Sequence, residues 1–259
     1  MRVWKKGLGI LLAGVMIHSL GIGFFGGNNV PLNVYAATPK EIIPKNNTAT
    51  IPNTLKGAVM IGGSCKSISG GKQMKELTLN WFDGKVSLKN TMPNVKTLNV
   101  YTGTVKNLDF KKLPALESIN AASDGLLVSD SNEELTKLNG LKNLKTINIA
   151  NGGEESLSAS NCPKLQKVSF WGAGSISLSN CPNVKTVSLN SGVPKSIKIK
   201  SCPGIETLDI SAYAKKAKIS PADIYACKKL KKLKAPKAII DKLDRSKLPK
   251  TVKIQTASE

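Results

Sequence analysis

With 259 residues, 41% of them apolar and 21% charged, the chain has a globular composition, which excludes a disordered one. Lysines and arginines number 38 against 17 acids, and Arg2 and Arg245 are the only arginines. Lysine lacks the planar fork that reads base edges, so sequence-specific nucleic-acid recognition is disfavoured, while general attraction to polyanions is not.

Residues 1–36 read as a signal peptide: Arg2, Lys5 and Lys6 precede an uncharged apolar run from Gly7 to Phe25, and Val34-Tyr35-Ala36 supplies a small-residue cleavage site. A run of nineteen uncharged residues could also span a bilayer as an uncleaved anchor, but the glycines and the cleavage pattern favour removal. The expected product is secreted, or extracellular and wall-associated, with no membrane span after cleavage. Removing three positive charges leaves 35 against 17, an excess of +18. The only histidine, His18, leaves with the signal segment, which excludes Ser-His-Asp, Cys-His and His-ligated zinc chemistry from the remainder. The expectation is therefore a protein that is not an enzyme.

Residues 37–53, rich in Pro, Lys, Asn and Thr without an apolar period, read as an exposed linker. Residues 54–73 contain a strand candidate, Leu55 to Ile61, and read as an N-terminal cap. From residue 74 to 235 the chain repeats. About eight coils open on Met74, Val95, Leu116, Leu144, Leu165, Val184, Ile205 and Leu230, at spacings of 19 to 28 residues. The third and fifth residues after each opener are apolar, as in Leu77 and Leu79 or Val187 and Leu189, which predicts a strand with one face inward. A second alternation on the far side of the coil predicts short strands at Val86–Leu88, Leu108–Phe110, Leu157–Ala159, Ile176–Leu178 and Ile197–Ile199.

The segments Leu165-Gln-Lys-Val168-Ser-Phe170 and Ile205-Glu-Thr-Leu208-Asp-Ile210 carry the pattern Leu-x-x-Leu-x-Leu, so the chain resembles the leucine-rich repeat family. Cysteines just before the openers are similar to those of secreted bacterial members, the internalins and related surface proteins. The resemblance implies a leucine-rich repeat solenoid, mostly β, with parallel strands stacked in short coils and few or no long helices. It also implies that the concave strand face is the binding surface. Two coils are longer: one carries the acidic insertion Ser123–Glu134, and the other Ser220-Pro-Ala-Asp-Ile-Tyr-Ala226, whose serine cap and leading proline predict one short helix. Residues 236–259 read as a C-terminal cap and tail.

Cys162, Cys181, Cys202 and Cys227 each stand three residues before an opener, a slot that earlier coils fill with Met92, Leu113 and Leu141. Those partners identify a core position, so a reduced, buried ladder is expected rather than disulfides. Cys65 has no evident partner. Paired-cysteine spacing and histidines are both absent, so neither a metal nor a cofactor is expected. In the insertion, Asp124, Asp130, Glu133 and Glu134 do not match a calcium-loop spacing and read as a solvated loop. Candidate binding residues on the concave face are Asn99, Tyr101, Asn120, Asn148, Ser169, Trp171, Ser188, Asn190 and Asp209. Lys195, Lys198, Lys200, Lys215, Lys216 and Lys218 are candidate polyanion contacts. The expected function is non-catalytic recognition of a protein or carbohydrate partner. The alternative is a structural cell-envelope protein held to anionic wall polymers by its lysines.

Overall fold

A computed structural model of the protein describes residues 38–128, 135–150, 156–172, 174–191, 195–211 and 218–257. Nineteen strands follow one another along them. The first nine are β1 (Lys40–Ile42), β2 (Thr48–Ile51), β3 (Gly57–Gly62), β4 (Ser67–Gly70), β5 (Met74–Lys85), β6 (Ser87–Leu88), β7 (Thr97–Lys106), β8 (Ser118–Val128) and β9 (Leu135–Asn139). Next come β10 (Thr146–Ala150), β11 (Ser156–Ser160), β12 (Lys167–Trp171), β13 (Ile176–Ser179), β14 (Thr186–Ser191) and β15 (Ser196–Lys200). The last four are β16 (Thr207–Asp209), β17 (Lys218–Ile219), β18 (Lys232–Ala235) and β19 (Lys253–Thr256). They wind into a parallel β-solenoid of about nine turns.

The main sheet has eleven strands in the order β1-β3-β5-β7-β8-β10-β12-β14-β16-β18-β19, and the far side of the coil carries a five-stranded and a three-stranded sheet. The repeat explains this stacking. Each opener from Met74 to Leu230 is at most 2% exposed, and the two strand apolars that follow are buried in every coil. The register aligns them: Val168 lies between Ile147 and Val187, and Leu208 between Val187 and Leu233. A one-residue slip would turn this whole layer to solvent, so the pairing is strongly specified. From the far side Leu157, Ala159, Ile176, Leu178, Ile197 and Ile199 close the same core. Burying each large side chain stabilises by about 1.5–3 kcal/mol.

The corner between the two sides explains the Asn-Cys-Pro motif. Asn161 and Asn180 have φ of 53° and 52°, a left-handed turn that asparagine tolerates better than most residues. Asn161 Nδ2 donates to Asn139 Oδ1 at 2.8 Å, and Asn180 Nδ2 to Asn161 Oδ1 at 3.1 Å. The cysteine then turns inward and is fully enclosed. Two residues past it, Asn183 Nδ2 donates to the Pro163 carbonyl of the preceding coil at 2.7 Å. Gly204 occupies that last position in the next coil, where any Cβ would collide with the Pro182 carbonyl.

Several expectations are corrected. Residues 37–53 are not an exposed linker, because β1 pairs with β3 and β2 with β4, and Ala49 and Ile51 are buried. Their strands are three and four residues long, too short for the alternation to stand out among Pro, Lys and Asn. Residues 54–73 are likewise an ordinary coil, with Val59 and Ile61 in register with Leu77 and Leu79. At the other end, Leu248-Pro-Lys repeats the Cys-Pro-Lys turn and leads into β19, which pairs with β18, so residues 236–257 continue the main sheet. Leu108–Phe110 forms no strand: Asp109 accepts from Lys111 N at 3.0 Å and caps a 3-10 turn, Phe110–Lys112. That turn separates the two far-side sheets.

The expected short helix is present as α1 (Pro221–Tyr225), with Ser220 Oγ accepting from Ala222 N at 3.2 Å. Asp223 in its first turn accepts from Ile199 N at 2.9 Å and so satisfies the edge of β15 where β17 runs out. A second helical turn, α2 (Lys237–Ile240), lies between β18 and β19. Residues 129–134 of the acidic insertion lie outside the described residues.

Candidate functional site

Outward side chains form columns across the main sheet. The central column contains Met60, Thr78, Asn99, Asn120, Asn148, Ser169, Ser188, Asp209 and Lys234. Flanked on both sides, much of it is buried: Thr78 is 0%, Asn99 3% and Ser169 4% exposed. Asn120 Nδ2 donates to Asn99 Oδ1 at 2.8 Å, and Asn99 Nδ2 donates to Thr78 Oγ1 at 3.1 Å and Glu76 Oε1 at 2.8 Å. Burial raises the Glu76 carboxyl above its ordinary pKa, and the Asn99 hydrogen bond opposes that shift. Asn99 therefore spends its amide within the sheet and has no surface to offer a partner. Asn148 Oδ1, where the column passes from asparagine to serine, is enclosed and has no hydrogen-bond partner among the described residues. Asp209 turns its Oδ1 onto Ser211, accepting from the hydroxyl at 2.6 Å and the backbone N–H at 3.0 Å.

The next column is where the aromatics stand. Asn80, Tyr101, Ala122, Ala150 and Trp171 are adjacent in register, all half-buried, on strands β5, β7, β8, β10 and β12. Tyr101 and Trp171 thus flank two alanines, three strands apart, or roughly 14 Å at the usual strand spacing. Past Trp171 the register slips, and Ser191 takes the place opposite it. Asn190 belongs to β14.

Trp81, at the end of this surface, escapes the reading of the sequence. Continuing the alternation Leu77, Leu79 would place residue 81 inward. Instead Trp81 adopts a φ of 57°, which shifts the alternation by one residue, buries Phe82 completely and leaves Trp81 58% exposed. Thr102 makes the same left-handed step in β7, and Gly103 follows it because a Cβ there would strike the Phe82 carbonyl. The adjacent apolar pair Trp81-Phe82 is the signal that could have revealed the step.

Three acids of this side have lysine partners. Glu117 receives Lys145 at 2.7 Å and Lys96 at 3.0 Å, Glu206 receives Lys231 at 2.7 Å, and Lys234 lies 4.0 Å from Asp209. Lysine hydrogen bonds hold the carboxyls of Glu117 and Glu206 below the usual range.

Of the lysines singled out from sequence, Lys198 and Lys200 project from β15 on the far side and are exposed. Lys195 precedes that strand and is exposed, and Lys218 opens β17. Lys215 and Lys216 lie outside the described residues. All five cysteines are reduced and buried. Hydrogen bonding to Cys181 and then burial push the thiols of Cys162 and Cys202 up, and burial pushes Cys227 up to about 12. Among the described residues no group of three or more His, Cys, Asp or Glu could hold a metal, and no helix is long and apolar enough to cross a membrane.

No family model, curated protein or solved structure matches the chain.

Proposed function

We propose that the chain is a secreted, non-catalytic binding protein of the leucine-rich repeat type, which receives a protein or carbohydrate partner on the outer face of its main sheet. The observation that carries this reading is the column in which Tyr101 and Trp171 flank Ala122 and Ala150. Two aromatic rings at the ends of a small-residue floor form a shallow slot, and such rings combine an apolar face with a polar handle. The hydrogen-bonded column beside it fixes the strands that carry the rings, so the slot is preorganised.

The reading is tested by probing a glycan array, and in parallel an array of extracellular proteins, with the full chain, Tyr101→Ala and Trp171→Ala. A ligand bound by the natural chain and weakened at least tenfold in both variants supports the slot. Binding that both variants retain, or no ligand on either array, contradicts it.

A further inference from the structure

The far side of the solenoid has a composition that the repeat does not require. Its inward residues fill the core, but its outward residues are nearly all hydroxyls and lysines. On β11 they are Ser156, Ser158 and Ser160, beside Ser175, which precedes β13, and Ser177 and Ser179 on it; on β9 the same rows hold Leu135, Lys137 and Asn139. The next strand, β15, continues the three rows with Ser196, Lys198 and Lys200. On the three-stranded sheet Thr50 stands beside Ser69 in a row that ends at exposed Lys89, while Ser67, hydrogen-bonded to Thr48, is buried. Strand spacing puts neighbours in a row ~4.8 Å apart, and alternate residues along a strand ~6.8 Å apart.

The electrostatics of this side differ from those of the main sheet. Among the described residues, the ion pairs that join neighbouring coils, Lys96 and Lys145 to Glu117, Lys231 to Glu206 and Lys234 to Asp209, belong to the main-sheet side. Lys89, Lys198 and Lys200 make no ion pair with a described residue. Of the carboxylates away from the main sheet, Asp109 and Asp223 are each bound to a backbone N–H, and in the last coil Asp241 and Asp244 pair with Lys237 and Lys247. Lys198 and Lys200 lie within the ~8 Å screening length of each other, so their repulsion is felt at physiological salt and an anion between them relieves it.

We propose that this far side is a docking surface for an acidic polysaccharide, a chain carrying carboxylates or sulfates among its hydroxyls. The lysines take the anions as point charges, and the Ser and Thr rows exchange hydrogen bonds with sugar hydroxyls. Strands stacked ~4.8 Å apart present about one residue of a row per sugar unit of an extended chain laid along that row. A nucleic acid fits less well, because the rows hold no aromatic for stacking and no arginine. A bilayer fits less well too, since the exposed large apolar residues described, Ile43 and Trp81, are not in these rows. The proposal concerns the side opposite Tyr101 and Trp171 and does not depend on the slot between them.

The test compares binding of the full chain to polygalacturonate, dextran, single-stranded DNA and phosphatidylserine vesicles over a range of salt concentrations. Two variants that lose the same net charge on opposite sides are measured beside it, Lys198→Gln/Lys200→Gln and Lys96→Gln/Lys145→Gln. Polygalacturonate is expected to bind in preference to the other three. Lys198→Gln/Lys200→Gln is expected to weaken it about tenfold and to reduce the slope of log K against log salt by about one to two, a neutralised contact contributing somewhat less than one. Lys96→Gln/Lys145→Gln and Trp171→Ala are expected to leave it unchanged. Ser158→Ala/Ser177→Ala should weaken it severalfold without altering the slope. Equal weakening by the two lysine pairs, polygalacturonate bound no better than dextran, or DNA or vesicles bound more tightly would each overturn the proposal.

Discussion

The two sides of the solenoid are built from the same kinds of small polar residue and use them differently. On the main sheet Thr78, Asn99 and Ser169 are buried within a column, and the asparagine amides donate from strand to strand. On the far side Ser158, Ser160, Ser177 and Ser179 remain partly open to solvent. The difference follows from the flanking side chains: Ser169 lies between Lys167 and Trp171 on a five-residue strand, whereas Ser158, on a strand of the same length, lies between Ser156 and Ser160, which are too small to cover it. Charge differs as well: Glu117 and Glu206 on the main-sheet side receive lysines, whereas Lys198 and Lys200 on the far side make no ion pair with a described residue. One polar column holds the sheet together, and the other is presented outward.

The largest expected effects should show that the division stops at the outer layer. Phe170 and Leu178 face each other's sheets across one core and are each at most 1% exposed. Phe170→Ala should cost about 3–5 kcal/mol and Leu178→Ala about 2–5 kcal/mol in urea denaturation. A far-side loss below about 1 kcal/mol would mean that the far strands pack loosely, and the comparison between the sides would fail.

The corner that joins the sides is tested by its thiols. Because burial raises Cys227 to about 12, the thiol stays protonated at pH 8. The stability this contributes is present below the ordinary cysteine pKa and is lost as pH rises toward 12. Because all five thiols are buried, thiol titration at pH 8 should find little reaction in the native chain and five equivalents after unfolding. Rapid native labelling, or fewer than five thiols unfolded, would contradict the enclosed, reduced ladder.

The smallest effect concerns the paired charges. Glu117→Gln should cost only about 0.2–1 kcal/mol, less at high salt, because both of its lysines are well exposed. Since Lys145 and Lys96 lower the Glu117 carboxyl, its contribution is present above the unfolded carboxyl pKa and disappears as pH falls through the lower folded value. Natural chain and variant should therefore converge in stability in acid.

Much of this fold is legible in the sequence, because a solenoid repeats its reasons. Eight openers and the two apolar residues after each place the core, and the slot shared by Met92, Leu113 and Cys162 identifies the cysteines as filling. The first coil is hidden because strands of three and four residues offer too few alternations to distinguish from a linker. Outward residues are harder to read. Periodicity says that Asn99 points away from the core, but only the neighbouring columns decide that it is buried. Trp81 is illegible for a different reason: a single left-handed residue shifts the alternation, and every later residue of β5 changes side.

The central claim, that one polar column is internal structure and the other presented surface, is tested most directly by equilibrium denaturation of two matched double variants. Asn99→Ala/Asn120→Ala removes the hydrogen bonds of Asn99 to Glu76, Thr78 and Asn120, and should cost about 2–4 kcal/mol. Ser158→Ala/Ser177→Ala, on the far side, should stay within about 0.5 kcal/mol of the natural chain. Losses of equal size in the two variants would contradict the account.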